Sequence, residues 1–466
     1  MATVPINITG QTYESRSRVL SNQLTQNWYA ELVDNPTAKS QYVLHPTPGL
    51  KSFGTADSGD DRGLFEHQGI LYHVSGTSIY TVSASGTHID IGTIPGTGRC
   101  IFAGMGSKVL IVTQGKAYQY DGSSVAEITD SDLETPNSVA HLNNQALYDG
   151  DGGRFCSSDV GDATSINALN FATAESHADD LLRVFVFDQT AYLFGERTIE
   201  TWWNSGVGKP PFDRVEGGIH QVGLGALHSV DRNDHALYFL GDDSHIYRIV
   251  SGTLQQVSDI SMHREIASHA TVSDALGVCF TMAGQFFYCF ILPAQNKSYL
   301  FSESTGWTSL SSSGGRTFVN SYAYAHRKHL VSDYRSGAVY EWDLDTHDDL
   351  GEAIIRIRDT APLHGEILGV PGKRIEMNAF ELVMETGVGT ATGQGLDPVV
   401  SLQVSDDGGK TFSTEMWEKV GTMGAFQTGV RWTQLGSFHE RILRVRASDP
   451  VFYSIHSATA DLEGGI

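Results

Sequence analysis

The sequence has few cysteines for its length. Four of its 466 residues are cysteine, at Cys100, Cys156, Cys279 and Cys289. Disulfide-stapled scaffolds are short and dense in cysteine, so this chain is not one of them. Cys156 lies in a stretch rich in Gly, Asp and Ser, which predicts a loop. We expect four reduced thiols in a protein made in cytoplasm.

Positive charge is also scarce, with 31 Lys and Arg against 54 Asp and Glu and a net charge of −23. Broad affinity for nucleic acid is not expected, because phosphate binding needs a surplus of Lys and Arg on the contacting face. An acidic surface suits a channel that DNA passes without sticking. It equally suits the simple solubility of a large surface, and charge alone does not separate the two interpretations.

No segment predicts a membrane span or a cleaved secretion signal. The opening residues, Met1–Asn7, contain no basic segment followed by an apolar run. The most apolar stretch, Val278–Leu292, is interrupted by Thr281, Gly284 and Gln285. It is also shorter than the roughly 18 residues that a spanning helix needs. This stretch predicts two buried strands and their turn.

Motifs of catalysis and metal binding are missing from the sequence. It contains no Gly-x-Ser-x-Gly elbow, P-loop or dinucleotide fingerprint, and its 18 histidines have no ligand spacing such as His-Glu-x-x-His. Asp149 and Asp151 have the spacing of a calcium loop but lack the Glu that completes an EF-hand, so a Gly-rich hairpin turn is favoured there. We predict no catalytic, cofactor-binding or metal-binding residues, no cofactor and no enzymatic activity.

Helical periodicity is weak throughout. The best candidate follows Ser261, a plausible N-cap, with Met262, Ile266 and Ala267 on one face. We expect one or two helical turns that connect two β-sheets.

The sequence does contain many glycines and a repeated hairpin. Glycine, at 50 residues, is about one and a half times its usual share, which predicts many tight turns. Each repeat is an apolar strand, a turn and a second strand that carries aromatics. The repeats begin at Gly69, Lys108, Gln145, Thr190, His235, Gln285 and Lys328. Their spacing, roughly 37 to 50 residues, predicts a β-propeller of six to seven blades, with a large meandering sandwich as the alternative.

A second all-β domain is expected after the repeats. The charged stretch Asp343–Gly351 breaks the repeat and predicts a linker. Apolar and polar residues then alternate strictly over Ile355–Arg358, Val400–Ser405 and Leu443–Arg446, as in strands with one buried and one wet face. This pattern predicts a β-sandwich.

The fold prediction is therefore an all-β chain, a β-propeller followed by a C-terminal β-sandwich-like domain. Residues 1–65 are expected to form an N-terminal arm and the start of the ring. The propeller is expected over 66–345, a linker over 346–351 and the C-terminal domain over 352–466.

The sharpest local motif is Ser405–Phe412, which matches the Asp-box pattern of Ser, Asp, Gly, Thr and an aromatic. We expect Asp407 to accept backbone N–H bonds across a hairpin turn, Gly408 and Gly409 to supply positive φ, and Phe412 to plug the turn into the core. Asp-boxes occur in sialidases, but the chemistry there lies in convergent arginines, a Tyr and a Glu elsewhere. A single box outside the propeller predicts a folding staple.

Further short passages occur in a fixed order along the chain. They are Gln26–Glu31, Thr47–Leu50, Arg197–Trp202, Gly223–Ala226, Tyr238–Gly241, Tyr247–Ile249 and Gln256–Ser258, followed by Arg374, the Asp-box, Arg431–Gly436 and Arg444–Arg446. Each passage alone has low specificity. Their order over nearly the whole chain resembles the tail-hub, or packaged-DNA stabilisation, family of podovirus tail accessory proteins.

The resemblance implies a structural virion protein, a tail hub or nozzle that extends the DNA channel below the portal and its adaptor and helps to retain packaged DNA. It implies a homohexamer that meets the portal adaptor, a tail needle or plug, and tail spikes or fibres. Genomic DNA would pass through the lumen without specific binding, and no membrane insertion is implied. Such a protein is assembled in the cytoplasm of the bacterial host. The family's role is architectural, so no catalytic residues carry over to this chain.

Two other functions stay open at this point. One is a propeller-type glycan-binding or glycan-cleaving phage tail protein, and the other is a generic propeller scaffold. Sialidase chemistry would require a ring-centre pocket with clustered arginines and an acid of raised pKa, whereas a hub predicts self-association and a wide acidic lumen.

Overall fold

The structure is a computed structural model that describes residues 2–17, 21–35, 37, 40–57, 59–173, 180–208 and 210–464. Most of the regular structure in these residues is β-strand. The helical elements described are one α-helix, Ile260–Ala267, and two 3₁₀ turns, Leu227–Ser229 and Gly365–Leu368. The predicted all-β fold class is confirmed.

Seven four-stranded antiparallel sheets, here called blades 1 to 7, form a propeller within the described residues. Blade 1 consists of Asp61–His67, Ile70–Ser75, Ser78–Val82 and His88–Thr93. Blade 2 consists of Ile101–Met105, Lys108–Thr113, Lys116–Tyr120 and Val125–Glu127. Blade 3 consists of Val139–Leu142, Gln145–Asp149, Arg154–Asp159 and Asp162–Thr173. Blade 4 consists of Leu181–Phe187, Thr190–Gly195, Ile199–Asn204 and Phe212–His220.

The remaining blades continue around the ring. Blade 5 consists of Asp231–Arg232, Leu237–Leu240, Ile246–Val250 and Thr253–Gln256. Blade 6 consists of Leu276–Met282, Gln285–Leu292, Lys297–Ser302 and Gly306–Ser309. Blade 7 consists of Val319–Ala325, Lys328–Asp333, Ala338–Asp343 and Gly49–Thr55. The first strands of several neighbouring blades contact one another and therefore line the ring axis.

The hairpins that repeat in the sequence are the second and third strands of the blades. In blade 6, Val278–Leu292 falls in two buried antiparallel strands, as predicted. The third strand of blade 3, Arg154–Asp159, was not recognised as part of the sequence repeat, because it carries Cys and Ser where other blades carry aromatics. Cys156 lies in this strand, so the prediction of a loop there is wrong.

The tight turns between first and second strands explain part of the glycine excess. Both turn residues have positive φ in several blades, for example 49° and 61° at Asn143 and Asn144 and 50° and 76° at Ala283 and Gly284. Two consecutive left-handed residues form the two-residue turn whose twist matches that of an antiparallel hairpin. Asn and Gly tolerate this conformation best, and Ala283 shows that the two-residue turn of blade 6 imposes it on another residue.

The ring is closed by a strand from the N-terminal part of the chain. Gly49–Thr55 pairs antiparallel with Ala338–Asp343 and is the outer strand of blade 7. The Trp342 indole N–H donates to the Pro48 carbonyl at 3.1 Å. Gly49 is required here, because a Cβ would lie 2.4 Å from the Asp348 carbonyl oxygen. Ring closure therefore joins segments almost 300 residues apart, as four-stranded blades at a closing seam require.

The C-terminal domain is a sandwich of two sheets. The first sheet contains Trp28–Leu32, Tyr42–Pro46, Ile455–Gly464, Ile375–Met384 and Val430–Phe438 in this order, with Ala2–Ile6 paired to Ile455–Gly464. The second contains Arg356–Asp359, Glu440–Ala447, Val399–Ser405 and Met416–Lys419, with Leu363–His364 paired to Glu440–Ala447. Trp28, Phe380 and Tyr453 are fully buried between the sheets.

The N-terminal segment contributes to both domains. Three of its strands complete the first sheet of the sandwich, whereas Gly49–Thr55 completes the ring. The sequence of 1–65 carries no propeller repeat, which agrees with an assignment to an arm but does not reveal where the arm binds. These strands are short. Trp28–Leu32 pairs with Tyr42–Pro46, but both Ala2–Ile6 and Tyr42–Pro46 pair with Ile455–Gly464, which lies hundreds of residues away in the chain. The limits proposed for the domains stay predictions.

A two-residue strand, Thr25–Gln26, joins the ring to the sandwich. Gln26 pairs in parallel with Ser309 of blade 6 and antiparallel with Ile357 of the sandwich. Blade 6 and the second sheet of the sandwich consequently form one continuous ten-stranded sheet. The two domains thus share backbone hydrogen bonds in addition to side-chain contacts.

Asn27 holds this junction in place. It is buried and has a φ of 55°. Its amide nitrogen donates to the carbonyls of Ser311 and Ile355 at 2.8 and 2.9 Å, and its amide oxygen accepts from the Ser311 N–H at 2.8 Å. One side chain therefore satisfies backbone groups of the ring and of the strand entering the sandwich, which matters because unpaired buried backbone groups are costly.

The expected wet face of the strand at 355–358 is buried. The side chains of Arg356 and Arg358 are 0% exposed, whereas Ile357 is only half-buried. Arg358 donates to Gly10 and Thr25 of the N-terminal segment, and Arg356 donates to the His347 carbonyl. The alternation was identified correctly, but the apolar face is not the more buried one, because the N-terminal segment covers Arg358 and the backbone at His347 and Ile354 covers Arg356. Burial lowers the pKa of Arg358 to about 9 and that of Arg356 to about 10.

The segment expected to be a linker, 346–351, is attached to the ring. Asp348–Asp349 pairs in parallel with Gly49–Thr55 at Leu50 and antiparallel with Glu352–Ala353. Asp349 is buried, and burial raises the pKa of its carboxyl to about 6. A further two-stranded hairpin, Ser311–Ser312 with Gly315–Arg316, lies between blades 6 and 7.

The α-helix begins two residues earlier than expected. The cap is Asp259, whose carboxylate accepts from the Met262 N–H at 2.7 Å, and not Ser261. Met262 and Ile266 are buried as predicted, but Ala267 is exposed. Aspartate is as good a cap as serine, and sequence alone did not separate the two.

We predict that Asn27→Ala destabilises the whole chain, by roughly 2 to 4 kcal/mol, because buried groups of Ser311 and Ile355 lose their partners. Chemical denaturation with separate probes of ring and sandwich is the measurement. Asn144→Ala is the matched control, since Asn144 also has positive φ but is exposed and makes no side-chain hydrogen bond within the described residues. Equal effects of the two substitutions would contradict the role of Asn27.

Candidate functional site

The four cysteines are buried and unpaired thiols. Burial raises the pKa of Cys100 to about 11 and those of Cys156 and Cys289 to about 12. A thiol with a raised pKa stays protonated at neutral pH, which is the opposite of what a nucleophilic cysteine needs. These side chains act as small core residues.

The acids of the candidate calcium loop have separate surroundings, since Asp149 ends the strand Gln145–Asp149 and Asp151 lies in the turn that follows it. Asp149 is fully buried, and its carboxylate accepts hydrogen bonds from the Asn137 N–H at 3.0 Å and from the Ser138 N–H and hydroxyl at 2.6 and 2.9 Å. Burial raises the pKa of Asp149 to about 6, although these hydrogen bonds lower it. Asp151 instead donates its backbone N–H to Glu134 at 2.9 Å. Gly152 and Gly153, both at positive φ, complete the turn.

No cluster of three or more His, Cys, Asp or Glu side chains suited to holding a metal ion occurs in the part of the chain that the structure describes. The histidines instead contact one or two side chains each. His73 bonds to Asp61 at 3.1 Å and to His88 at 3.0 Å, and His263 stacks on His245 at 4.0 Å. Each of these contacts joins neighbouring strands or an element to the ring.

The Asp-box has the geometry of a folding staple. The Asp407 carboxylate accepts from the backbone N–H groups of Lys410 and Thr411 at 2.9 and 3.0 Å, and from the hydroxyls of Thr411 and Ser405 at 2.6 and 2.7 Å. These hydrogen bonds hold the pKa of Asp407 well below its ordinary value. Gly408 and Gly409 have φ of 76° and 79°, as expected.

Phe412 does not plug the turn into the core. It is half-buried, and the Arg444 guanidinium lies 3.7 Å from its ring centroid. Arg444 in turn pairs with both carboxylate oxygens of the buried Asp359 at 2.7 and 2.8 Å. The motif is therefore anchored through a cation–π contact and a bidentate ion pair on the outer side of the second sheet.

The ring axis carries charged groups that the sequence analysis did not single out. Asp61 of blade 1 accepts from Asn320 of blade 7 at 2.7 Å and from His73. Although burial raises the pKa of Asp61, the hydrogen bond and charge of His73 and the charge of Arg99 outweigh it and lower the pKa. Arg99 donates to the Asn320 carbonyl at 2.9 Å. Blades 1 and 7 and the strand entering blade 2 are tied together at this point.

A second group of axial residues joins blades 4, 5 and 6. Arg183 donates to the Leu227 carbonyl at 2.6 Å, and Asp231 accepts from the backbone N–H groups of Cys279 and Arg232 at 2.6 and 2.9 Å. Burial raises the pKa of Asp231 to about 6. Arginines and an acid of raised pKa do meet at the axis. Arg99, Arg183 and Asp231 each make one hydrogen bond to a backbone group of another blade or of the segment that leads to it, as structural ties do. The Nε and Nη1 of Arg99 and the Nε of Arg183 are buried without a hydrogen-bond partner among the described residues.

These axial residues lie in or beside the first strands of the blades, outside the repeated hairpins. The repeat therefore gave no signal for them. A rule that looked for charged residues just before each hairpin would have found Asp61, Arg183 and Asp231.

Two family models match the chain in succession. One is described as bacteriophage P22 Gp10, beta-propeller, and matches residues 2–347, and the other is described as bacteriophage P22 Gp10, beta-sandwich, and matches residues 362–463. The chain belongs to the bacteriophage P22 Gp10 family. The sequence resemblance to podovirus tail-hub and stabilisation proteins is thereby confirmed, and Gp10 membership makes the chain a structural tail protein of a phage virion. The Gp10 propeller match includes the N-terminal strands that complete the sandwich.

Solved structures with a similar ring are remote from this Gp10 family member. Virginiamycin B lyase from Staphylococcus aureus is 10% identical with a TM-score of 0.45, over 63% of this chain and 98% of that chain. The WD40 propeller domain of Doa1 is 11% identical with a TM-score of 0.41, over 63% and 96%. The WD40 domain of Neurospora crassa Pan2 is 7% identical with a TM-score of 0.42, over 64% and 96%. No curated protein matches the chain.

The helices of the described residues are all too short or too polar to cross a bilayer.

We predict that Asp407→Ala lowers the melting temperature of the sandwich at pH 7 without removing any binding function. Because the folded pKa is depressed, the carboxylate stabilises the fold above its unfolded pKa of roughly 4, and this contribution is lost as pH falls towards the folded pKa. The difference in melting temperature between wild type and variant should therefore shrink below about pH 4. Thermal unfolding as a function of pH is the measurement.

Asp234→Ala is the control for the loss of one exposed acid, since the Asp234 side chain makes no hydrogen bond within the described residues. An Asp407→Ala protein that melts like wild type but has lost a specific ligand would overturn the structural role of the Asp-box.

Proposed function

We propose that the chain is the tail hub, or nozzle, of a short-tailed phage and extends the DNA channel below the portal and its adaptor. The observation that carries the proposal is the succession of both Gp10 domains in one chain, over residues 2–347 and 362–463. The continuous sheet through Thr25–Gln26 supports it. A spacer between portal and tail tip needs fixed geometry, and shared backbone hydrogen bonds give it.

Charge supports passage of DNA without specific binding. A homohexamer would multiply the net charge of −23 sixfold. Such an assembly repels phosphate at moderate salt, so it holds DNA back through a plug that closes the channel and not by gripping the strand. Retention of packaged DNA is then steric.

The proposed partners are further copies of the chain in a homohexamer, the portal adaptor, a tail needle or plug, and tail spikes or fibres. The proposed location is the virion tail, after assembly in the bacterial cytoplasm. Buried, protonated thiols agree with assembly in a reducing compartment. The hub is proposed to be no enzyme and to need no cofactor or metal.

A glycan-binding or glycan-cleaving role is the alternative function. The axial arginines and Asp231 are the groups that would have to serve it. Their engagement with backbone groups of neighbouring blades favours a structural role for them. A stable monomer that cleaves glycans would reverse this preference.

We predict that particles made without the protein fill with DNA normally and then leak. Packaging acts through the portal, whereas the proposed hub carries the plug that keeps the genome inside. Quantification of encapsidated DNA immediately after packaging and after incubation is the measurement. Purified protein added to freshly filled heads should restore attachment of later tail components. Particles that lack the protein yet keep their genomes and infectivity would contradict the hub.

We also predict that the purified chain does not shift duplex DNA on a gel at moderate salt, because the acidic surplus opposes phosphate contacts. A basic DNA-binding protein of similar size serves as the positive control for the assay. Tight binding that weakens steeply with added salt would contradict the passive lumen.

A further inference from the structure

Two arginines of different blades reach the propeller axis with N–H groups that no protein group accepts. Arg99 precedes the first strand of blade 2, and Arg183 lies in the first strand of blade 4. The unpartnered nitrogens are the Nε and Nη1 of Arg99 and the Nε of Arg183, all buried among the described residues. An N–H group that loses water without gaining a partner costs free energy, and the cost is larger for a charged group. These three nitrogens therefore need an explanation.

The backbone groups that the two arginines do bind show where the guanidiniums lie. Arg99 donates from Nη2 to the Asn320 carbonyl of blade 7 at 2.9 Å, so its side chain reaches across the start of blade 1. Arg183 is only 8% exposed and donates from Nη1 to the Leu227 carbonyl at 2.6 Å, in the 3₁₀ turn before blade 5. Both side chains extend along the inner ends of the blades, where a propeller has its central channel.

The charges of these arginines act on each other and on His228. The pKa of Arg183 falls to about 10, chiefly because of burial and in part because of the charge of Arg99. Burial lowers the pKa of His228 well below its ordinary value, and the charges of Arg99 and Arg183 lower it further. Charges interact appreciably only over short distances, so the three side chains lie together. At neutral pH both guanidiniums stay charged.

The acids near the axis do not form ion pairs with these two charges. Asp61 and Asp231 attract the guanidiniums from a distance, but their carboxylates accept hydrogen bonds from other groups. Within the described residues, neither Arg99 nor Arg183 forms an ion pair with these or other acids. Two buried like charges that lie together without a paired counter-charge are unfavourable.

Arg62 of blade 1 shows how the ring satisfies an arginine that only ties segments together. It is buried, and each of its guanidinium nitrogens has a partner. The Nε donates to the Gly98 carbonyl at 2.7 Å, the Nη1 to the carbonyls of Gly76 and Ile94 at 2.9 and 2.6 Å, and the Nη2 to the Thr113 hydroxyl at 3.1 Å. A purely structural arginine at the same ring end thus leaves no nitrogen without a partner.

Other arginines of the described residues, namely Arg316, Arg356 and Arg358, leave a single nitrogen unpartnered each. A single buried water molecule satisfies such a group. The axis differs, because two arginines contribute three unpartnered nitrogens and two positive charges to the same place. Water accepts N–H groups but supplies no negative charge, whereas an anion supplies both.

We propose that the propeller axis binds one small oxyanion, such as phosphate, between Arg99 and Arg183. The oxygens of the anion accept the N–H groups that the protein leaves unpaired, and its charge offsets the two guanidiniums. Guanidinium groups suit oxyanions, because their N–H groups point outward in one plane towards several oxygens. The bound anion links blades 2 and 4 and, through Asn320 and Leu227, the starts of blades 7 and 5. This site goes beyond the proposed hub function and does not depend on it.

Thermal unfolding of the full chain in increasing phosphate tests the site. Ionic strength is held constant with sodium chloride, so that general screening does not change. A ligand that binds only the folded state raises the melting temperature as its concentration rises. We expect wild type to gain at least about 1 °C for each tenfold increase in phosphate above the dissociation constant.

Two arginine variants show whether the gain comes from the axis. Arg183→Gln removes one of the two guanidiniums, and Arg327→Gln removes an exposed arginine from a turn of blade 7 as the control for a lost charge. We expect Arg183→Gln to lose the phosphate-dependent gain and Arg327→Gln to keep it. If Arg183→Gln does not fold, Arg99→Lys replaces it, because lysine keeps the charge but lacks the unpartnered Nε and Nη1. Its dissociation constant for phosphate should be at least about tenfold higher than that of wild type.

Equilibrium dialysis of wild type against radiolabelled phosphate gives a second readout that needs no variant. We expect one phosphate per chain. If water molecules alone satisfy the three nitrogens, wild type retains no phosphate, and this result would overturn the proposal. An equal phosphate-dependent gain in wild type and in the axial variant that folds would overturn it as well.

Discussion

The pairing of Thr25–Gln26 with both Ser309 and Ile357 is the interaction on which the rest of the structure depends. It turns blade 6 and a sandwich sheet into one sheet, with Asn27 satisfying the backbone groups beside it. The N-terminal segment can reach both domains only if they keep this relative position. Arg358 is then buried against Gly10 and Thr25, whose carbonyl and hydroxyl oxygens accept N–H groups of the guanidinium and offset part of the cost of burying it.

The ring is also held together by hydrogen bonds between segments that are distant in sequence. Gly49–Thr55 closes blade 7, and the axial residues Asp61, Arg99 and Arg183 bond to backbone or side chains of other blades. In these contacts, charged side chains stabilise the fold. Charged residues at the centre of a propeller therefore need not indicate catalysis. The family match and the acidity of the chain then favour a rigid, passive part of a phage tail.

Sequence reasoning succeeded where structure is local. The repeated hairpins, the all-β class, the left-handed Gly408 and Gly409, and the turn bonds of Asp407 all follow from neighbouring residues. It failed where a distant segment changes the environment. The N-terminal segment covers Arg358, the backbone at His347 and Ile354 accepts from the buried Arg356, and Phe412 stacks on Arg444 instead of entering the core. Periodicity shows that two faces differ, but it does not show which face another part of the chain will cover.

Hydrogen exchange of the peptide that spans Thr25–Asn27 tests the central claim most directly. If the junction is a permanent part of both domains, these amides exchange as slowly as those of Gln285–Leu292 in the ring and Glu440–Ala447 in the sandwich, and all three open together. Exchange of the Thr25–Asn27 peptide within seconds, while both reference strands stay protected, would show that ring and sandwich are stable without the junction and would contradict this account.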